Sequence, residues 1–88
     1  METLAAFLSH LEHERRLAGN TVEAYGSDLA DFFNFLRVHL GDEPTPKALG
    51  RLKARDIRAH LAQRRRDGLS DASIARLMSS IKALYRWL

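Results

Sequence analysis

The chain has 88 residues, enough for one small domain and too few for two packed ones. Hydrophobic residues make up 45% of it and charged residues 28%, a balance typical of a folded protein rather than a disordered chain. The lack of cysteine excludes a disulfide framework and a thiolate metal site. The sequence contains no signal peptide and no apolar run long enough to cross a membrane, so we expect a cytoplasmic domain.

The net charge of +3 is unevenly distributed along the chain. Residues 1–50 carry four basic and eight acidic side chains, whereas residues 51–88 carry ten basic and three acidic ones. Such an excess of one sign is typical of a surface that meets an oppositely charged partner, here an anionic one. An ordinary solvated surface is the alternative, and charge alone does not choose between the two.

Two helices are predicted before residue 41. The first spans about 2–17, with an apolar face formed by Leu4, Phe7, Leu8 and Leu11. In the turn after it, Gly19 suits the end of one helix and Asn20 the cap of the next, with Glu23 completing a pair that resembles a capping box. The second helix spans about 21–40, and its apolar residues recur at spacings of three and four: Val22, Tyr25, Leu29, Phe32, Phe33, Leu36 and Leu40.

Two more helices are predicted after a loop at residues 41–50, where both prolines lie. The third spans about 54–67, with Ile57 and Leu61 as its main apolar anchors, and Gly68 ends it. Ser70 starts the fourth, which carries the cleanest apolar stripe: Ile74, Leu77, Met78, Ile81, Leu84, Tyr85 and Leu88. Because no segment alternates as a strand would, the predicted fold is an all-α bundle of four helices.

The side of the fourth helix opposite its apolar stripe combines small, hydroxyl and arginine residues without an acid: Arg86, Ser79, Ala83, Arg76, Trp87 and Ser80. Small residues let a helix approach a groove closely, and hydroxyl and guanidinium groups bind phosphates and base edges. The third helix adds a ridge of Arg51, Arg55, Arg58 and Arg65, while Arg64 is expected to lie along the apolar side. Both surfaces favour a nucleic-acid partner, and a solubilising surface remains the alternative for each.

The body of the second helix is different, because Glu23, Asp28 and Asp31 are expected to be exposed and to repel phosphate. Only its N-terminus suits an anion, where the helix dipole acts and Asn20 and Thr21 add polar groups. Simple capping is the alternative role for both of these residues.

Metal and catalytic sites are not predicted. His10 and His13 lie three residues apart with Glu14 beside them, but the sequence places no third ligand near them. His39 and His60 are isolated, and both tyrosines lie on apolar stripes. We therefore expect no cofactor, no metal, no small-molecule substrate and no catalytic residue in this chain.

Two stretches resemble signatures of the tyrosine site-specific recombinases. "ERRLAGNTVEAYGSDLADFFNFL" (14–36) resembles the first signature of their N-terminal, core-binding domain, and "RRRDGLSDASIARLMSSIKALYRWL" (64–88) resembles the second. The second stretch is most similar to the Xer branch, and to its XerC group in particular; integrases of phages and integrons share the same pattern. The resemblance covers nearly the whole chain.

The resemblance implies a SAM-like domain that clamps one face of duplex DNA, while a separate catalytic domain holds the nucleophilic tyrosine. Residues 1–88 are then a core-binding domain cut from a longer protein, because the ending Tyr85-Arg86-Trp87-Leu88 reads as the middle of a helix. Such a fragment would bind DNA without cutting it, and its parent would be the enzyme. The implied partners are double-stranded DNA and a second, XerD-like recombinase subunit, and the implied process is site-specific recombination, as in chromosome dimer resolution.

In that family, the N-termini of the second and fourth helices enter the major groove. The resemblance therefore implies a DNA-binding role for Asn20, Thr21, Ser70, Ser73, Arg76 and Lys82. Ala18 departs from the pattern, since the family often has serine there. Trp87 is expected to contact a following segment or to cover the end of the bundle. The alternatives are a phage- or integron-type integrase, a helical protein-interaction module and a stand-alone helix-turn-helix regulator.

Overall fold

The computed structural model describes residues 2–88, with side chains from residue 3 onward. Five helices and no strand occur within that range. They are α1 (Glu2–His13), α2 (Gly19–Leu40), α3 (Pro46–Gly50), α4 (Ala54–Arg66) and α5 (Asp71–Trp87). The predicted all-α class is confirmed, whereas the predicted count of four helices is wrong.

The additional helix, α3, lies in the segment that we predicted to be a loop. The Thr45 hydroxyl oxygen caps it by accepting a hydrogen bond from the Ala48 amide at 3.1 Å. Pro46 occupies the first turn, where its fixed φ suits a helix and its missing N–H leaves no bond unmade. Leu49 has no exposed surface and anchors the short helix in the core. The proline that we took as a sign of a loop therefore lies at the start of a short helix.

The first helix ends at His13 rather than near residue 17. The chain leaves it through Arg16, whose φ of 53° is in the left-handed region that usually favours glycine. The Leu17 amide then donates to the Leu11 carbonyl at 3.1 Å, and the half-buried Leu17 side chain packs against the core. Gly19, which we expected to end the first helix, is instead the first residue of α2.

The core lies between α1, α2 and α5, with one residue from α3. Its buried members are Leu4, Phe7, Leu11, Leu29, Phe32, Phe33, Leu36, Leu49, Leu77, Ile81 and Leu84. Leu77 and Ile81 of α5 are 1% and 2% exposed, and they share this cluster with Leu29, Phe32 and Phe33 of α2. The stripe read from the sequence is therefore the face by which α5 packs.

A single histidine, His60, is the most buried residue of α4. Its ring lies between those of Phe32 and Phe35, with centroids 5.2 Å and 5.0 Å away. Ile57 and Leu61, the expected anchors, are only half-buried against the core. A histidine fills this position because a neutral imidazole packs between aromatic rings as an apolar side chain does.

Two aromatic residues near the end of α5 join it to the rest of the bundle. The Tyr85 hydroxyl donates a hydrogen bond to the Leu49 carbonyl at 2.6 Å, and burial raises the pKa of Tyr85 to about 12. Trp87 packs on α1, with its ring centroid 5.4 Å from that of Phe7 and 6.1 Å from that of His10. Trp87 thus covers the end of the bundle. Within residues 2–88 no helix has the length and apolar character of a transmembrane segment.

Candidate nucleic-acid interface

The N-terminus of α5 is capped by its own serines. Ser70 precedes the helix in an extended conformation, and its hydroxyl oxygen accepts a hydrogen bond from the Ser73 amide at 3.2 Å. The same hydroxyl lies 3.2 Å from the Ser73 hydroxyl and donates to it. Arg65 approaches the first turn from α4 and donates to the Asp71 carboxylate at 2.8 Å. Ser70 therefore stabilises the helix end, and Ser73 is the half-buried hydroxyl beside it.

The N-terminus of α2 lacks such a cap. Ala18 occupies the capping position, no side chain there accepts a hydrogen bond, and the first turn contains no acid. The expected capping by Asn20 and Glu23 is therefore wrong, because the helix begins one residue before Asn20. Asn20 is exposed and Thr21 is half-buried. The backbone amides that start α2 are consequently available to an anion to a greater extent than those of α5.

Arg76 is bound to α2 by an ion pair that the sequence did not reveal. Its Nε and Nη2 donate to the two carboxylate oxygens of Asp28 at 2.9 Å and 2.8 Å. The Asp28 side chain is 7% exposed and that of Arg76 is 46% exposed. The pair raises the pKa of Arg76, chiefly because the guanidinium donates side-chain hydrogen bonds to the Asp28 carboxylate. Asp28 was expected on the exposed body of α2; it is instead buried, because the Arg76 fork satisfies its charge.

One hydroxyl predicted on the exposed face of α5 is inside the domain. Ser80 has no exposed surface, and its hydroxyl donates to the Leu77 carbonyl of its own helix at 2.8 Å. A serine that bonds back to its own helix needs no water, so it can be buried beside the apolar stripe. Ser79 remains exposed, although its hydroxyl donates to the Ala75 carbonyl at 3.1 Å.

The proposed DNA-binding residues do not form one cluster. Asp28 of α2 contacts Arg76 of α5, while Tyr25, earlier in α2, lines the same cleft as Lys82, later in α5. The two helices therefore run in opposite directions where they cross. Asn20 and Thr21 lie on the Lys82 side of the Asp28–Arg76 pair, and Ser70 and Ser73 lie on the other side.

The arginines around α4 are divided between paired and unpaired groups. Arg64 donates to Asp31 of α2 at 3.4 Å and to Asp67 at 3.2 Å, so it lies along the protein as expected. Arg51 belongs to the end of α3 rather than to the α4 ridge. Within residues 51–66, the exposed basic side chains that form no ion pair with any side chain of residues 3–88 are Arg51, Lys53, Arg55, Arg58 and Arg66.

Metal-binding geometry does not occur in the described part of the chain, where no three histidine or acidic side chains converge. His10 instead bonds to the Glu14 carboxylate at 2.9 Å, and His13 to the Ser9 carbonyl at 3.0 Å. The two histidines that share a helix face in the sequence thus have separate, local partners.

Comparison with protein families matches residues 4–88 to the phage integrase N-terminal SAM-like domain. Among curated proteins, the chain is 39% identical over 87 residues to "Tyrosine recombinase XerC" of Bradyrhizobium diazoefficiens and 44% identical over 87 residues to that of Methylobacterium nodulans. The protein of the same name from Brucella suis is 39% identical over 82 residues.

These alignments cover 99%, 99% and 93% of the chain but only 27%, 27% and 26% of the relatives. The chain thus spans about a quarter of the length of the curated relatives it matches. No solved structure matches it. The matched residues include both signature stretches, most of α1 and all of the other four helices, so the resemblance inferred from the sequence is confirmed: the chain belongs to the family of phage-integrase N-terminal SAM-like domains.

Proposed function

We propose that this chain is a DNA-binding domain that clamps duplex DNA during site-specific recombination. The observation that carries the proposal is the set of exposed, unpaired basic side chains in a half of the chain whose net charge is +7. Basic side chains that have no intramolecular partner can neutralise DNA phosphates, and the counterions condensed on the DNA are then released, which is the main source of non-specific affinity for DNA. Family membership and the names of the relatives support the same function.

The residues proposed to contact DNA divide into three roles. Asn20 and Thr21 accompany the uncapped start of α2, where a backbone phosphate is stabilised by amides and the helix dipole. Ser70 and Ser73 flank the start of α5 and offer hydroxyl groups to the duplex. Lys82, exposed on α5, binds a phosphate.

Arg76 is proposed to contact a phosphate without leaving Asp28. The ion pair uses the Nε–H and one N–H of Nη2, and Nη1 makes no hydrogen bond within the described chain. The outer edge of the guanidinium can therefore donate to a phosphate while the inner edge stays bound to the carboxylate. Direct base readout by so restrained a side chain is less favoured.

The whole protein is proposed to resemble its relatives in function. In that proposal, a catalytic domain beyond Leu88 breaks and rejoins the DNA strands, and a second, XerD-like subunit completes the recombining complex, as in chromosome dimer resolution. The 88-residue chain alone should then bind a duplex and give no covalent DNA–protein product. A covalent product abolished by Tyr25→Phe or Tyr85→Phe would contradict this assignment.

The test of the proposed function is duplex binding as a function of salt. A fluorescently labelled duplex of about 30 base pairs is titrated with the chain between 50 and 200 mM salt, conditions under which each phosphate contact contributes a slope of about −0.9 to log K against log salt. We expect a slope of about −3 or steeper. The double variant with Arg55→Ala and Arg58→Ala should bind the duplex more weakly than the wild type. Arg37→Ala is the matched control, because Arg37 is already paired with Glu43 at 2.7 Å. Affinity that does not change with salt, or no binding at 50 mM, would contradict the proposal and favour a protein-interaction module.

A further inference from the structure

A cleft of about 460 Å³ opens between α1, α2 and the second half of α5. Its lining includes Arg15, in the turn after α1, and Lys82 and Arg86 of α5. Tyr25 of α2 and Trp87 are also part of the lining. The cleft is not assembled by any single helix, since its cations come from segments about 70 residues apart in the sequence.

The charges in this cleft are not neutralised by the protein. Arg15, Lys82 and Arg86 form no ion pair with any side chain of residues 3–88, and no acidic residue lines the cleft. The nearest carboxylate along the chain, that of Glu14, is bound to His10 at 2.9 Å. Elsewhere in the domain four arginines do have carboxylate partners, namely Arg37, Arg64, Arg65 and Arg76. Three cations around one concave surface repel one another unless an anion lies between them.

The cationic groups of the cleft are hydrogen-bond donors, while His10, which also lines the cleft, is bound to Glu14. Guanidinium and ammonium groups donate and do not accept. The Tyr25 hydroxyl makes no hydrogen bond within the described residues, and it lines the cleft beside them. The Ser79 hydroxyl also lines it, but its proton is used by the Ala75 carbonyl. The three cations and the Tyr25 hydroxyl therefore favour a ligand that is negatively charged and carries several acceptor oxygens.

We propose that this cleft binds a phosphate group, held by Arg15, Lys82 and Arg86 with the Tyr25 hydroxyl as a further donor. A phosphate offers the charge and the acceptor oxygens that these side chains lack, and arginine forks match its geometry. The phosphate belongs either to the DNA backbone or to a free nucleotide or inorganic phosphate. In the first case the inference rests on the proposed function and adds a contact to it.

The cleft is separate from the contact proposed for the start of α5. Arg86 follows Ser73 by 13 residues, which at 1.5 Å per residue is about 20 Å along the helix. If α5 enters the major groove by its N-terminal end, the groove, about 8.5 Å deep, does not reach Arg86. A duplex whose groove receives the start of α5 would bring a flanking part of its backbone, rather than its base edges, to Arg86.

Trp87 provides a direct reporter of occupancy, because it is the only tryptophan in the chain and it lines the cleft. The fluorescence of Trp87 is measured in the 88-residue chain during titration with inorganic phosphate, with a mononucleotide and with a 30-base-pair duplex. Arg15→Ala and Arg86→Ala are compared with Arg37→Ala, which lies outside the cleft. All three positions are outside the buried core, and circular dichroism checks that each variant is folded.

We expect the duplex to change the fluorescence in a saturable way, and each cleft variant to weaken duplex binding about three- to tenfold. Each should also reduce the slope of log K against log salt by about 0.9, the value for one lost phosphate contact. Arg37→Ala should change neither. A fluorescence change that saturates with nucleotide or inorganic phosphate, competes with the duplex and is lost in Arg86→Ala would identify a free phosphate as the ligand.

Two outcomes separate this inference from the proposed function. If the duplex binds with an unchanged salt slope in both cleft variants and Trp87 does not respond to any ligand, the inference is overturned while the proposed function stands. If the duplex does not bind at all, the proposed function fails; the inference then survives only if phosphate alone changes the Trp87 fluorescence and Arg86→Ala removes that change. If the duplex does not bind and Trp87 fluorescence does not respond to phosphate either, the inference is overturned together with the proposed function.

Discussion

The stability of this domain should fall as the pH is lowered from neutrality, because of His60. The ring is 1% exposed, and neither of its nitrogens has a hydrogen-bond partner. Burial, followed by the positive charge of Arg64, lowers the pKa of His60 to about 4. Three carboxylates act in the opposite direction with smaller effect: Asp31, Asp67 and Asp28. Above about pH 4, His60 is therefore protonated more readily in the unfolded chain than in the folded one.

The size of the effect follows from the difference in pKa between the unfolded and folded chains. Unfolded histidine has a pKa of about 6.5, so between pH 6.5 and 4 the unfolded chain holds a proton that the folded chain does not. The stability is thus fully present above about pH 6.5 and is lost as the pH falls toward 4. At about 1.4 kcal/mol per pKa unit, the loss reaches roughly 3 kcal/mol, a large part of the roughly 5–10 kcal/mol expected for a small domain.

The assay is urea unfolding at pH 7.5, 6.0, 5.0 and 4.5, followed by circular dichroism, for the wild type and His60→Leu. Leucine retains apolar packing and cannot titrate. At pH 7.5 the variant should be equal in stability or more stable by up to about 2 kcal/mol, since a buried polar atom without a partner costs about 1–3 kcal/mol. Below about pH 6, the difference in free energy of unfolding between His60→Leu and the wild type should then grow by up to about 1.4 kcal/mol for each pH unit. His13→Leu is the matched control, because His13 is exposed. An advantage of His60→Leu that stays constant with pH would refute the reasoning.

The remaining predictions concern packing, capping and the buried ion pair. Leu77→Ala should lower the free energy of unfolding by about 2–4 kcal/mol, and a loss below about 0.5 kcal/mol in urea titrations would mean that the core face is wrong. Ser70→Ala should cost about 1 kcal/mol by removing the cap of α5, whereas Ser70→Gly should cost less; equal losses would argue against capping. Arg76→Ala should cost about 1–3 kcal/mol because it leaves the Asp28 carboxylate buried without a donor, and unchanged stability would show that the pair is dispensable. On duplex DNA the same variant should lose affinity on all sequences equally, with a salt slope smaller by about 0.9, if Arg76 contacts a phosphate; a loss confined to one sequence would indicate base readout.

The helical stripes were predictable because their period is a local property. On α5, Ile74, Leu77, Ile81 and Leu84 all lie on the buried face that the spacing indicated. The ends of helices were less predictable, since several residues compete for each cap. Thr45 and Pro46 form a helix start inside what the sequence presented as a loop, because Leu49 has a place in the core to fill. Arg16 takes a left-handed conformation although glycine follows nearby, since that turn buries Leu17.

In the candidate site, too, local features were predictable from the sequence and contacts between distant residues were not. Which polar residues lie at the starts of α2 and α5 could be read from the sequence, and so could the excess of positive charge after residue 50. The partner of each charge could not, because Asp28 and Arg76 are 48 residues apart and meet only when α2 packs on α5. The sequence pattern put Asp28 on a solvated surface and Arg76 in open solvent; the ion pair buries the first and restrains the second.

The sequence alone determines that this protein is all-helical, that it belongs with the integrase SAM-like domains, and that its second half is basic, because these depend on local periodicity, on signature residues and on composition. Only the tertiary structure decides which charges remain available. Packing of α2 against α5 pairs Arg76 with Asp28, burial between two phenylalanine rings keeps His60 neutral, and the meeting of the turn after α1 with the end of α5 leaves Arg15, Lys82 and Arg86 around one cleft. The physical reason is that charge pairing and desolvation depend on distances between residues far apart in the chain, which only the folded backbone sets.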